Sequence, residues 1–234
     1  TTHLYKCDYV RMKDVTIFAP HSPVAAPSSD AIDLDACDNV HIIGCHISVN
    51  DDIIAIKGGK GPWADTDPDN GVNNNILVEK CWFGKGPGVI TFGSECVGGR
   101  NVILRDSEVH GATRLLQMKM RPDTPQRYEY VLVENITGEV RWAFYVHPWT
   151  QFFDLKGRED IPMSYGEHVT IRNCRLTCSE QAIEIAEKPD QYQLSGIVIE
   201  DNNVFTELHQ APRRAQKKQD WELPKGTPEA EKNK

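Results

Sequence analysis

Several things are scarce or missing in this 234-residue chain, and each narrows its class. No stretch approaches the roughly 18 consecutive apolar residues of a membrane span, so no membrane partner is expected. Thr1-Thr2-His3-Leu4 opens without the charged and apolar regions of a signal peptide. Basic residues are outnumbered, 26 Lys and Arg against 34 Asp and Glu, for a net charge of -8. Binding a phosphate backbone needs a basic face, so nucleic acid is not an expected partner, although an anionic sugar needs only a local basic patch. The seven cysteines form no C-x-x-C metal-ligand pair, and their odd number leaves at least one thiol unpaired. Zinc is therefore not expected, and buried packing is favoured over disulfides. There is also no long 3.6-residue periodicity of the kind a helix needs.

In its place stands a repeat. Apolar residues recur at relative positions 0, +2, +5 and +7 as Val10, Met12, Val15, Ile17; Val40, Ile42, Cys45, Ile47; and Ile76, Val78, Cys81, Phe83. The pattern returns as Val102, Leu104, Ser107, Val109; Val169, Ile171, Cys174, Leu176; and Ile197, Ile199, Asn202, Val204, with a weaker copy at Val131, Val133, Ile136. Alternation, a one-residue break and renewed alternation describe two short strands around a corner. The break residues Lys13-Asp14, Gly44, Lys80, Asp106, Arg172-Asn173 and Asp201 suit a bend. A third alternating run follows each copy: Ile32/Leu34, Ile54/Ile56, Ile90/Phe92, Leu116/Met118, Phe144/Val146 and Ile183/Ile185.

Three short strands per repeat predict an all-β right-handed parallel β-helix of about seven coils over residues 1–210, stacked so that like residues form ladders. Residues 211–234, rich in Pro, Lys and Glu, read as an irregular tail that wraps the last coil through Trp221 and Leu223. The first coil begins almost at the N-terminus, and terminal coils need covering. A preceding segment or a companion chain is expected at that edge.

Aligning the third runs on their apolar pairs brings chemistry to one face. Asp30 falls beside Asp52, with Gly88 next, while Asp51 lies one column before. Asp33, Ala55, Thr91, Gln117 and Tyr145 form another column, and Asp35, Lys57, Gly93, Lys119 and His147 the one beyond it. Three acids from two successive coils thus converge, with basic and aromatic groups on the coils that follow. Such a cluster raises the pKa of one member. It suits an inverting glycosidase, in which an acid and a carboxylate base stand roughly 6.5–9.5 Å apart. A solvent-facing acidic turn is the bland alternative.

Ser28-Ser29-Asp30-Ala31-Ile32-Asp33, Asn50-Asp51-Asp52-Ile53-Ile54-Ala55-Ile56-Lys57, Gly86-Pro87-Gly88 with Gly93-Ser94-Glu95, and Gln117-Met118-Lys119 resemble the four ordered motifs of the polygalacturonase family, glycoside hydrolase family 28. The resemblance covers roughly residues 5–205. It implies hydrolysis of α-glycosidic bonds in a pectic poly- or oligosaccharide, with inversion, no metal or other cofactor, and a secreted or periplasmic location. By position, Asp51 would be the general acid, Asp30 and Asp52 would activate water, and Lys119 would hold a substrate carboxylate. Tyr145 would stand near the leaving-group sugar, and Gln117, Lys57 and His147 complete the expected substrate-binding set.

Two positions depart from the family pattern. Its histidine is Pro87 here, and its arginine is Gln117, which cannot form a bidentate guanidinium clamp. Retained acids with altered sugar-holding groups imply changed specificity, exo-acting or rhamnogalacturonan-directed. A non-catalytic or degenerate carbohydrate-binding β-helix is the competing reading, and a calcium-dependent pectate lyase a third.

Weaker candidates remain open. Trp63 is a sugar platform or an ordinary loop aromatic. Asp65, Asp67 and Asp69 are a loose calcium loop or a solvated acidic one. His147 and Trp149 touch substrate or pack. Arg114 and Arg121 join Lys57 in a local positive patch or are simply exposed. Asn135-Ile136-Thr137 is a glycosylation sequon or only part of the repeat.

Overall fold

Every coil is turned by residues in the left-handed region of backbone space. In the computed structural model, which describes residues 1–208, Asp14, Gly44, Lys80, Asp106, Asn135 and Asn173 have φ between 50° and 67°. These include five of the break residues named from the sequence. A side chain costs little in that conformation only when it is absent or can bond locally, hence the Asp, Asn and Gly. Gly44 is required twice over, since a Cβ there would lie 2.3 Å from Asp14 Oδ1. A second left-handed corner stands at Tyr9, Asn39, Asn75, Asn101, Tyr130, His168 and Gly196. Asn75 and Asn101 bond along it, Asn75 Nδ2 donating to Asn39 Oδ1 at 3.2 Å and Asn101 Nδ2 to Asn75 Oδ1 at 3.0 Å.

Between corners the chain forms three parallel sheets, each seven strands deep among the described residues. One carries the ladder Met12, Ile42, Val78, Leu104, Val133, Ile171, Ile199. The next carries Ile17, Ile47, Phe83, Val109, Gly138, Leu176, Phe205. The third carries Leu4, Leu34, Ile56, Phe92, Met118, Val146, Ile185. This is the expected right-handed parallel β-helix of seven coils. Its core runs down the axis, where the ladder side chains of the middle coils are buried.

All seven cysteines are free thiols, and all but Cys7 are buried. Cys45, Cys81 and Ser107 stack as expected: the backbone N–H of Cys45 faces Cys81 Sγ at 3.4 Å, and that of Cys81 donates to Ser107 Oγ at 3.1 Å.

The last coil corrects one expectation. Phe205, not Val204, continues the ladder above Leu176, and Val204 is exposed. An additional corner residue is the cause: Asn203, not Asn202, caps Cys174, its Oδ1 accepting from the Cys174 N–H at 2.9 Å. At the other end Leu4, Val10, Met12, Val15 and Ile17 are only partly buried. The expected tail at 211–234, with Trp221 and Leu223, lies outside the described residues.

Candidate active site

The third sheet begins, on each coil, where the chain bends in from the preceding corner, and this bend carries the acids. Asp30 precedes the strand Ile32–Asp35, and Asp51 and Asp52 precede Ile54–Lys57. The coil of Asp30 is locked to that of Asp51 and Asp52 by the Ala31 N–H donating to the Asp52 carbonyl at 3.0 Å, and the latter to the next coil by the Ile53 N–H donating to the Gly88 carbonyl at 2.8 Å. Asp51 folds back so that its Oδ1 accepts from the Asp52 N–H at 3.0 Å. Oxygens of Asp30, Asp51 and Asp52 consequently lie within 4.8 Å of one another. They sit in a cleft of about 440 Å³ with Lys57, Pro87, Ser94, Glu95, Arg114, Gln117 and Lys119.

Asp52 is held hardest. It is 3% exposed; its Oδ1 accepts from the Thr91 hydroxyl at 2.9 Å and its Oδ2 from Lys119 Nζ at 2.8 Å. Gly88 makes room for this brace, since a Cβ there would stand 2.0 Å from Thr91 Oγ1 and 3.1 Å from Asp52 Oδ1. Asp30 leans on Lys57, whose Nζ lies 3.1 Å from Asp30 Oδ2 and 3.4 Å from Asp33 Oδ1.

These surroundings separate the acids. Burial is the largest influence on Asp51 and pushes its carboxyl up, reinforced by the negative charge of Asp30 and Asp52. Burial acts upward on Asp30 as well, but the charge and hydrogen bond of Lys57, a hydrogen bond from Asp33 and the Lys119 charge together bring it below the ordinary value. Asp33 is pushed up to about 6, mainly by burial, with Lys57 opposing and Asp30 adding to it. The cleft thus holds a carboxyl disposed to keep a proton beside one disposed to lose it, the division of labour that acid and base require.

A match to the family described as "Glycosyl hydrolases family 28" extends over residues 1–138 of this chain. The chain belongs to glycosyl hydrolase family 28. It is similar to an endo-polygalacturonase of Pectobacterium parmentieri, 32% identical over 124 residues, which is 51% of this chain and 29% of that protein. It is also similar to a probable polygalacturonase of Arabidopsis thaliana, 33% identical over 98 residues, 35% of this chain and 21% of that protein. The chain therefore spans less than a third of the length of these curated relatives. Among solved structures, a hyperthermoactive exopolygalacturonase from Thermotoga maritima superposes with a TM-score of 0.64 at 18% identity, over 88% of this chain and 49% of that one. That likeness shows the shared β-helix.

Within this family-28 chain, the columns aligned from sequence are the observed ones. Asp33, Ala55, Thr91, Gln117 and Tyr145 are successive register partners, as are Lys119 and His147. The individual side chains differ from expectation in several ways. Lys119 is tied to Asp52, and Lys57 to Asp30 and Asp33, so both ammoniums neutralise the acids. Gln117 lines the cleft at 1% exposure, with its Oε1 unpartnered.

Tyr145 and His147 are outside the cleft lining. The face of Tyr145 is covered by the Arg114 guanidinium, 4.4 Å from the ring centroid. His147 stacks on Tyr145 at 5.0 Å, with its Nε2 3.6 Å from Glu184. The nearest oxygens of the three carboxyls lie within 4.8 Å of one another, a closest approach that does not by itself distinguish an inverting pair from a retaining one.

The weaker candidates resolve. Trp63 lies outside the cleft, under the Arg158 guanidinium at 5.0 Å. Asp65 pairs with Arg158 at 2.6 Å and Asp69 with Lys6 at 3.2 Å, while Asp67 Oδ1 accepts from the Asp69 N–H. Arg121 is not part of a surface patch: it is 1% exposed and forked onto Asp123, Nε to Oδ1 at 2.8 Å and Nη2 to Oδ2 at 2.7 Å. Asn135 Nδ2 donates to Asp106 Oδ1 at 2.7 Å, as a corner residue of the ladder.

The sequence reading left Trp149 open between substrate contact and packing and missed its neighbours in the far wall of the cleft, Gln151 and Phe152. These residues lie on a segment outside the repeat, anchored by Arg121 Nη1 donating to the Gln151 carbonyl at 2.7 Å. The pairing of an isolated Arg with an Asp two residues on was the available signal.

Proposed function

We propose that this chain is the core of a pectin-directed glycoside hydrolase, with Asp51 as general acid and Asp30 and Asp52 as the pair that binds and activates water. The observation that carries this is the convergence of three carboxyls from two successive coils in one cleft, with Asp51 pushed up and Asp30 brought down. Asp51 protonates the departing glycosidic oxygen. A water between Asp30 and Asp52 gives a proton to Asp30 as its oxygen attacks the anomeric carbon and the bond to the departing oxygen breaks, while Lys119 meets the charge that stays on Asp52. Thr91 and Lys119 occupy both oxygens of Asp52, which suits an oriented acceptor better than a nucleophile and supports inversion. The names of the similar proteins support a galacturonide-containing substrate. Gln117 and Pro87 support a preference other than plain polygalacturonan, exo-acting or directed to rhamnogalacturonan. A pectic substrate places the work outside the cytoplasm, which fractionation of the producing cell would test.

Positioned general acids contribute about 10²–10⁴-fold. Asp51→Asn should lower reducing-end release from pectic fragments by that factor while leaving the thermal midpoint nearly unchanged. Full activity of Asp51→Asn would refute the assignment. Carbohydrate binding by a wild-type protein that cleaves neither homogalacturonan nor rhamnogalacturonan would favour the non-catalytic reading.

A further inference from the structure

The cleft contains three cations, and two are already spent. Lys57 serves Asp30 and Asp33, and Lys119 serves Asp52. Arg114 makes no ion pair or side-chain hydrogen bond among the described residues, and its Nε is buried without an acceptor. A guanidinium in that condition bears the desolvation of a polar group that nothing yet repays.

Its posture is nevertheless fixed. The group lies over two aromatic faces, 4.4 Å from the Tyr145 centroid and 5.2 Å from that of Trp142. Its backbone N–H donates to the Pro87 carbonyl at 3.0 Å. Stacking of this kind sets the plane of the fork and leaves its N–H edge for a planar anion.

Register places Arg114 in the column of the acids: it pairs with Gly88, one coil beyond Asp52. With coils about 4.8 Å apart, it stands roughly 10 Å along the axis from Asp52, beyond the sugar at the acids. Two more buried polar atoms on the cleft-lining residues lack partners, the Gln117 Oε1 acceptor and the Trp149 Nε1 donor. They are suited to sugar hydroxyls.

We infer that Arg114 is the substrate-carboxylate receptor of this cleft, taking the acid group of a uronate from the acids' own column in place of the arginine that Gln117 replaces. The inference rests on the pectic reading of the site. It assigns to Lys119 the bracing of Asp52, leaving the recognition of substrate charge to Arg114.

The test is calorimetric binding of trigalacturonate and of its fully methyl-esterified form to the full chain carrying Asp51→Asn, which prevents turnover. The parent should bind the free acid at least tenfold more tightly than the ester. Adding Arg114→Gln should weaken the acid 10–100-fold and the ester less than threefold. Arg114→Lys, which keeps the charge but loses the fork, should fall between; it decides the matter if Arg114→Gln lowers the thermal midpoint. Equal losses for acid and ester, or an unchanged preference in both variants, would overturn the role of Arg114 while leaving the pectic reading standing. A parent that binds neither sugar overturns the role of Arg114, and the same failure with rhamnogalacturonan fragments overturns the pectic reading as well.

Discussion

Replacing Lys57 with methionine removes the ammonium that bridges Asp30 and Asp33 at 3.1 and 3.4 Å while retaining most of the side chain's apolar length. An opposite charge this close lowers a carboxyl pKa by about 1–3 units, equivalent to about 1.4–4 kcal/mol. Without it, burial of Asp30 is opposed only by the hydrogen bond from Asp33 and the charge of Lys119, and Asp33, already pushed up to about 6, loses the cation that opposes its burial. Asp30 then holds its proton to higher pH and is lost as a base there. The acid limb of kcat/KM, which reports the free enzyme's base, should move up by about 1–3 units in Lys57→Met, measured as reducing ends released from pectic fragments between pH 3 and 8.

Stability has its own sign. In the wild type the depressed Asp30 pKa stabilises the fold above the unfolded value of about 3.9, and that gain disappears as the pH falls through the lower folded value. The deficit of Lys57→Met should therefore be full near neutrality and shrink on acidification, when Asp30 and Asp33 become neutral in the variant. Denaturant titrations at pH 7 and pH 4 measure it. An acid limb that stays in place in a folded Lys57→Met protein would refute Asp30 as the charged base held by Lys57.

Three other outcomes follow from the geometry. Gly88→Ala puts a Cβ 2.0 Å from Thr91 Oγ1; it should cost about 1–3 kcal/mol of stability and, by displacing the brace on Asp52, lower kcat more than it raises KM. Arg121→Met leaves Asp123 charged, buried and without its fork, a loss of about 3–5 kcal/mol visible in urea unfolding. Proton NMR of the first product should show inverted anomeric configuration, and a retained product would instead make Asp52 or Asp30 a nucleophile.

The fold was readable because each coil repeats one physical problem. Apolar pairs such as Ile54/Ile56 and Leu116/Met118 can be buried in only one register, since slipping by one residue would turn them outward. The observed columns, and with them the meeting of Asp30, Asp51 and Asp52, follow from those pairs. Arg114 was available by the same reasoning, standing two residues before its apolar pair as Asp30 and Asp52 do before theirs.

Other features left no such trace. Tyr9 and Tyr130 occupy left-handed corners although nothing in tyrosine favours that conformation; neighbouring coils impose it. The wall formed by Trp149, Gln151 and Phe152 belongs to a segment with no period, placed by a buried ion pair rather than by alternation. Whether Lys119 serves a substrate or Asp52 depends on a few ångströms of side-chain reach, which spacing along a chain does not record.

The thiols have a use beyond packing. Burial raises the pKa of Cys81 and Cys96 to about 12, and of Cys174 and Cys178 to about 11. While their coils are closed these four therefore present no thiolate, the form that oxidants and alkylating agents attack. No disulfide joins the seven cysteines, so no coil is closed by one. Each buried cysteine becomes a dated witness to opening, because it is alkylated only when its own stretch of the solenoid parts. Timed labelling followed by peptide mass spectrometry, from Cys37 toward one end to Cys178 toward the other, would record the sequence in which this protein comes undone.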